Sequence, residues 1–238
     1  MSGTISVIIP AYNHAHTLKR SLSSLKKQTV QPSEVIIVND GSTDNFNELI
    51  SELKINLPIK IIEQENRGAN AARNAGLKES RCELVIFWDA DTIGRPKMLE
   101  KMLFALEQNP KASYAYSRYY FGWKKMKSHT FDPILLQKIN YIDQTSLVRR
   151  TDLPAEGCDA SLKRFQDWDL WLTMLENKKT GVLAPEVLYK KIVRGRKGIS
   201  SWLPGFVFKL PWKIEKVKEY EKAREIILKK HGLKNPAH

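Results

Sequence analysis

Short apolar runs recur early in the chain, at Ile5 to Pro10, Glu34 to Asn39, Ile59 to Glu63 and Glu83 to Trp88, and each ends in a polar turn. Runs this short and rich in Val and Ile predict strands buried on both faces. Between them apolar residues recur at helical spacing: Leu18, Leu22 and Leu25, then Phe46, Leu49, Ile50 and Leu53, then Ala69, Ala72 and Leu77. The alternation predicts an α/β fold: a single Rossmann-like, mostly parallel sheet flanked by helices, with ligands bound beyond the carboxyl ends of the strands. The polar residues just after each strand are therefore the first candidates for chemistry. They are Asn13, Asp40, Asn66 with Arg67, and Asp89 with Asp91.

The second half is less regular. Its pattern predicts a helix over 97–108, a strand over 112–121, a helix over 167–176 and strands near Val182 and Val187. Pro204 and Pro211 bracket an apolar, aromatic stretch, and Ile214, Val217, Tyr220, Ala223 and Ile227 mark a terminal amphipathic helix running to about Lys230. No linker divides the chain. The expectation is one domain over 1–238, with a nucleotide-binding half (1–95), an irregular acceptor-binding half (96–200) and a basic, aromatic carboxyl-terminal extension (201–238).

Hydrophobic residues at 42% and charged residues at 27% match a folded globular chain and exclude large-scale disorder. Cys82 and Cys158 have no metal-ligand or disulfide-framework spacing, which fits a reducing, cytoplasmic setting. The amino-terminal residues lack the features of a signal peptide, and no window is apolar enough to span a membrane. The net charge of +13 is concentrated at the end, where residues 189–238 hold 14 Lys/Arg against 4 Asp/Glu. With Trp202, Phe206, Phe208 and Trp212 nearby, this tail suits peripheral contact with the anionic inner face of a membrane; aromatics packed on the domain and solvated lysines are the alternative. No nucleic-acid partner is expected.

Five motifs carry chemistry. FWDADT puts Asp89 and Asp91 at a strand end, where two hard oxygen ligands can approach one Mg²⁺ or Mn²⁺ bridging a diphosphate, although two aspartates also serve turns and caps. In VNDGSTD, Thr43 or Asp44 can cap the following helix, leaving Asp40 to accept hydrogen bonds from a base such as uracil. ENRGANAARNAG sets Gly68 near a helix start and places Arg73 where it can reach a phosphate or base. In FQDWDLWL, Asp169 suits capping or internal bonding, Asp167 suits removal of a proton from an acceptor hydroxyl, and Trp168 a wall of the acceptor site. The loop with Arg194, Arg196, Lys197 and Ser200 either folds over a diphosphate or is a surface loop.

VIIPAYN, VNDGSTD, NRGANAARNAG, WDADT and QDWDLW, in that order, resemble family 2 glycosyltransferases of the GT-A fold over roughly residues 4 to 195. The resemblance implies an inverting transfer from a nucleotide-diphosphate sugar, UDP first among donors, to a hydroxyl of a glycan, lipid-linked or other acceptor. It implies Pro10, Ala11, Tyr12, Asp40 and Arg73 around the nucleotide, Asp89 on ribose or metal, Asp91 on metal and Asp167 as the base. Two positions depart from the pattern: Gln166 where many relatives have Glu, and Arg194 where many have His. The competing class is a catalytically silent nucleotide-sugar-binding protein with a basic tail for an acidic partner. A nucleotide-dependent dehydrogenase is a weaker alternative still, since PAYNHAH stands where GxGxxG is required.

Overall fold

The computed structural model describes residues 3–193 and 215–234. Arg194, Ser200 and the aromatic residues from Trp202 to Trp212 lie outside the described residues, so the expectations for the basic loop and the membrane-facing segment concern positions not described here.

Four parallel strands form the first half: β1 (Ile5–Ala11), β2 (Glu34–Asp40), β3 (Ile59–Gln64) and β4 (Leu84–Phe87), in the order β3-β2-β1-β4. Helices α1 (Ala15–Lys26), α2 (Phe46–Ser51) and α3 (Ala69–Glu79) connect them. Alternate side chains of each strand face opposite layers. Ile5, Val7 and Ile9 of β1 join Leu18, Leu22 and Leu25 of α1 in one core. Ile36 and Val38 of β2 meet Ala72 of α3 on the other face. There Gly76 is required by space: a Cβ at this position would sit 2.4 Å from Ile8 Cγ2.

Beyond β4 the sheet becomes mixed rather than continuing parallel. After β5 (Thr92–Gly94) and α4 (Met98–Gln108), the chain adds β6 (Tyr114–Phe121), the short β7 (Lys124–Lys125), α5 (Pro133–Lys138), β8 (Leu147–Arg149), α6 (Gln166–Glu176), β9 (Gly181–Lys191) and α7 (Glu215–Lys230). The full order is β3-β2-β1-β4-β8-β6-β9-β5, with β7 paired to β6. β8 is antiparallel to both β4 and β6, and β5 is antiparallel to β9. The two strands expected near Val182 and Val187 are one strand, β9, whose register against β6 shifts around Ser117 and Arg118. Pro185 lies within it and lacks an amide hydrogen, which interrupts the pattern without ending the strand.

Under this half, Trp168, Leu170, Trp171 and Met174 of α6 pack with Phe87, Tyr114, Tyr116 and Ile227. The Trp171 and Tyr114 rings stack at 4.5 Å.

Candidate active site

A cleft of about 1200 Å³ opens at the carboxyl ends of β1, β2 and β4, where the chain order reverses around β1, and extends under the β6–β7 hairpin to the start of α6. Such a reversal leaves room between diverging connections. Pro10, Ala11, Tyr12, Asn13, Asp40, Gly68, Arg73, Asp89, Asp91 and Asp167 all line it.

At the first two strand ends the polar residues lace the turns together. Asn13, at φ +54°, turns its Oδ1 toward the amides of Thr43 (2.7 Å) and Asp44 (3.2 Å). Its own amide donates to Ser42 Oγ at 3.1 Å. Asp44 accepts from the Ala15 amide at 2.9 Å, so it serves the start of α1 rather than its own helix; α2 has no side-chain cap. Asn13 is thus bound to the neighbouring turn through its Oδ1 and its backbone amide. Asp40, only 2% exposed, accepts from Gln64 Nε2 (2.6 Å), the Arg67 amide (2.8 Å) and the Gly68 amide (2.9 Å). A carboxylate has about four lone-pair directions, so one remains. The turn into α3 thus already satisfies most of the buried Asp40 carboxylate. Gly68 enters α3 at φ +91°, a conformation that disfavours a side chain. Tyr12 presents a ring that is 45% exposed.

The floor of the cleft is a chain of alternating charges. Arg73 is buried on α3 and donates to Asp89 Oδ1 at 2.8 Å and to Asn70 Oδ1 at 2.8 Å. Lys191, at the end of β9, donates to Asp89 Oδ2 at 2.7 Å and to Asp143 Oδ2 at 2.8 Å. Asp143 also accepts from the Tyr189 hydroxyl (2.9 Å) and the Thr145 amide (2.9 Å). Burial would raise the pKa of Asp89, but Lys191 and Arg73 outweigh it and hold the group well below the usual carboxylate range. Burial likewise works against the charge on Lys191, and Asp143 and Asp89 outweigh it, keeping the ammonium charged.

Both oxygens of Asp89 are therefore engaged by cations, Arg73 on one and Lys191 on the other. Among the described residues no three His, Cys, Asp or Glu side chains converge on one point. Asp91 lines the same floor and is 1% exposed, and its carbonyl accepts from the Ile192 amide at 3.0 Å. A single carboxylate together with substrate phosphate oxygens is a donor set that Mg²⁺ accepts, so Asp91 fits a divalent cation.

At the far end, Asp167 sits in the first turn of α6, not ahead of it, and its Oδ1 accepts from Asn140 Nδ2 at 2.9 Å and from the Trp168 amide at 2.9 Å. Burial, then the charge of Asp143, push its pKa up; Asn140 and Lys191 pull it down without cancelling the rise. Gln166 Oε1 lies 3.3 Å from Arg73 Nη1, and its amide donates to Leu162 O at 2.7 Å. The neutral side chain leaves the Arg73 charge to Asp89. Trp168 does not form a wall of the cleft: it is 1% exposed, and its indole donates to Leu136 O at 2.7 Å in the core. The exposed side of that region carries Phe165 and Tyr220 instead. Asp169 points away, to Lys230 Nζ at 2.7 Å and His231 Nε2 at 3.0 Å, the internal bonding expected of it.

Lys191, Asp143, Asn140 and Tyr189 were not singled out by the sequence pattern. Lys191 ends a long run of strand-like residues, and a lysine there reads as a solvated tip; only the strand pairing places it beside Asp89.

The model of glycosyl transferase family 2 matches residues 6–171. An uncharacterized glycosyltransferase of Nostoc sp. is 43% identical over 101 residues, covering 42% of this chain and 31% of that protein. The crystal structure of S. aureus TarS in complex with UDP superposes with a TM-score of 0.67 at 20% identity, over 80% of this chain and 60% of that one. A mannosyltransferase from Pyrobaculum calidifontis, in complex with GDP-Man and Mn²⁺, gives 0.65 at 19% identity, over 84% and 59%. The chain spans under two thirds of each of these proteins, and the structural likenesses establish a shared GT-A fold. Because the family match runs from β1 into α6, through every element that gives a charged group to the cleft floor except β9, the chain belongs to glycosyl transferase family 2.

Proposed function

We propose that the chain moves a sugar from a nucleotide-diphosphate donor to an acceptor hydroxyl by one displacement at the anomeric carbon, with inversion. The observation that carries this reading is Asp167. It is a carboxylate of raised pKa, held by Asn140, in the same cleft as the Arg73–Asp89 pair and Asp91. Placed opposite the donor end, Asp167 accepts the proton of the attacking hydroxyl, and a base whose pKa is raised toward neutrality binds that proton more firmly. The single-displacement geometry needs only this one base on the acceptor side.

At the donor end, Tyr12 offers an aromatic face to a base, and the remaining lone pair of Asp40 suits its N–H group. Arg73 holds Asp89 in place. Asp91 is the residue suited to a divalent cation, Mn²⁺ or Mg²⁺, which when bound would offset charge on the departing diphosphate. UDP in one structural neighbour and GDP-Man with Mn²⁺ in another support the donor class, and both bases belong in the first screen.

The test is transfer or hydrolysis of UDP- and GDP-sugars by the wild-type chain and by Asp167→Asn. Turnover should fall by about 10²–10⁴-fold, the usual contribution of acid–base catalysis, with nucleotide affinity unchanged. Equal turnover in the two proteins rules Asp167 out as the base. Nucleotide-sugar binding without turnover in the wild type would favour the silent binding protein.

A further inference from the structure

The buried cation on β9 belongs to no motif in the chain, yet it joins the two ends of the cleft. Lys191 is 6% exposed, and its ammonium bridges Asp89 Oδ2 and Asp143 Oδ2 at 2.7 and 2.8 Å. The site is built around it. The stacked rings of Tyr119 and Tyr189 lie alongside, with the Tyr119 centroid 5.9 Å from Nζ. The Tyr189 hydroxyl and the Thr145 amide take the other oxygen of Asp143, so that carboxylate has one fixed orientation. Asp89 is fixed in the same way, with Arg73 on one oxygen and Lys191 on the other. Two partly buried carboxylates would otherwise face each other's charge across the floor.

We propose that Lys191 is a positioning residue that couples the donor end of the cleft to the base end: by bridging Asp89 and Asp143 it fixes both carboxylates and offsets the negative charge that each presents, Asp89 to a donor diphosphate and Asp143 to Asp167. The groups acting on Asp167 are Asn140 and Asp143 from the loop after α5, Lys191 from β9 and its own Trp168 amide. Its charge is in turn felt by Arg73 on α3 and Tyr119 on β6. Of these, Asp143 and Lys191 oppose one another, and removing the cation leaves Asp143 unscreened. The meaning of this coupling for turnover rests on Asp167 being the base, but the coupling itself is measured without turnover.

The experiment follows carboxyl resonances of ¹³C-aspartate-labelled protein through a pH titration, with Asp167→Asn assigning the Asp167 signal. In Lys191→Met the Asp167 midpoint should rise, since a positive charge that favours the ionised form is lost. Lys191→Arg should hold it at the wild-type value. In Lys191→Met/Asp143→Asn it should fall to or below wild type, since the larger, charge-raising neighbour is also gone. Calorimetry reads the donor end: UDP affinity should drop about tenfold in Lys191→Met, the equivalent of one unit of charge interaction, while uridine affinity stays constant. An unmoved midpoint or unchanged UDP affinity in Lys191→Met overturns the proposal. If Lys191→Met does not fold, the double variant decides, because it removes a buried cation together with one of its partners; a midpoint above wild type in that protein overturns the proposal. Retained transfer in Asp167→Asn would instead sink the base assignment alone.

Discussion

A carboxylate held in the first turn of α6 and facing Asp143 gives up its proton at higher pH than one in water. Asp167 must be ionised to act as a base, and its pKa is raised from the ordinary value of about 3.9. With Asp167 as the proposed base, activity should be lost as pH falls through that raised value, and the acid limb of the rate profile should stand above the usual carboxylate range. Asp167→Asn should remove the limb along with the rate. Asp40 calls for a different measurement. Since it receives the Arg67 and Gly68 amides, Asp40→Ala leaves two donors without their acceptor and should cost about 1–3 kcal/mol in urea unfolding. Nucleotide affinity should fall in the same protein, because the turn into α3 loosens. A variant that unfolds at the wild-type midpoint would show that the turn does not depend on this carboxylate. For Asp91, thermal shift with UDP or GDP should show added stabilisation from Mn²⁺ or Mg²⁺, as a ligand that binds only the folded state gives, and Asp91→Ala should lose that increment. The same metal increment in both proteins would remove Asp91 from the cation site.

Among the elements, α7 is held to α6 through charge. His231, just past the end of α7, places Nε2 3.0 Å from Asp169 Oδ1 and Nδ1 2.8 Å from Glu176 Oε1, with a side chain 3% exposed. Burial works against its charge; the hydrogen bonds to Asp169 and Glu176 outweigh it and raise the pKa. A raised folded-state pKa means the contribution is complete below the unfolded value of about 6.5 and is lost as pH rises through the folded value. The gap in melting temperature between wild type and His231→Gln should therefore be widest in mild acid and close in alkali. A gap independent of pH would mean that the ring acts by packing alone. The elements also divide by how far sequence pattern could reveal them. β1, β2, β3 and β4 are legible because continuous apolar runs between helices have few other uses, and α1 and α3 because their apolar faces repeat at helical spacing. β5 and β8, each of three residues, are too short for any periodicity. Pairing with β9, β4 and β6 makes them strands. Likewise Asp89, Asp91 and Asp167 stand in recognisable motifs, whereas Lys191 and Asp143 gain their roles only from the approach of segments distant in sequence. Trp168, beside a candidate carboxylate, suggests a binding wall in the sequence, while the turn of α6 directs it inward.

For the whole molecule, the sheet ties the two halves into one object, and no helix of the described residues is long and apolar enough to cross a membrane. The placement of β9 has a consequence in time. Among the described residues the strand partner of β5 is β9, with Thr92 opposite Lys191, and the carbonyl of Asp91 meets the amide of Ile192. The parallel core of β1 to β4 can assemble from near neighbours, but the Asp91 turn has to wait for a segment about a hundred residues further along the chain. Closing so long a loop is slow and entropically uphill before its contacts form. In refolding monitored by pulsed hydrogen exchange, amides of β1 and β2 should be protected early, and those of β5 and β9 together and later. Competence to bind a nucleoside diphosphate with metal should arise with that second group. Protection of β5 ahead of β9 would contradict this order. A chain interrupted between the two segments, during synthesis or by a nick in the intervening loops, would then carry an ordered sheet whose Asp91 turn had yet to set.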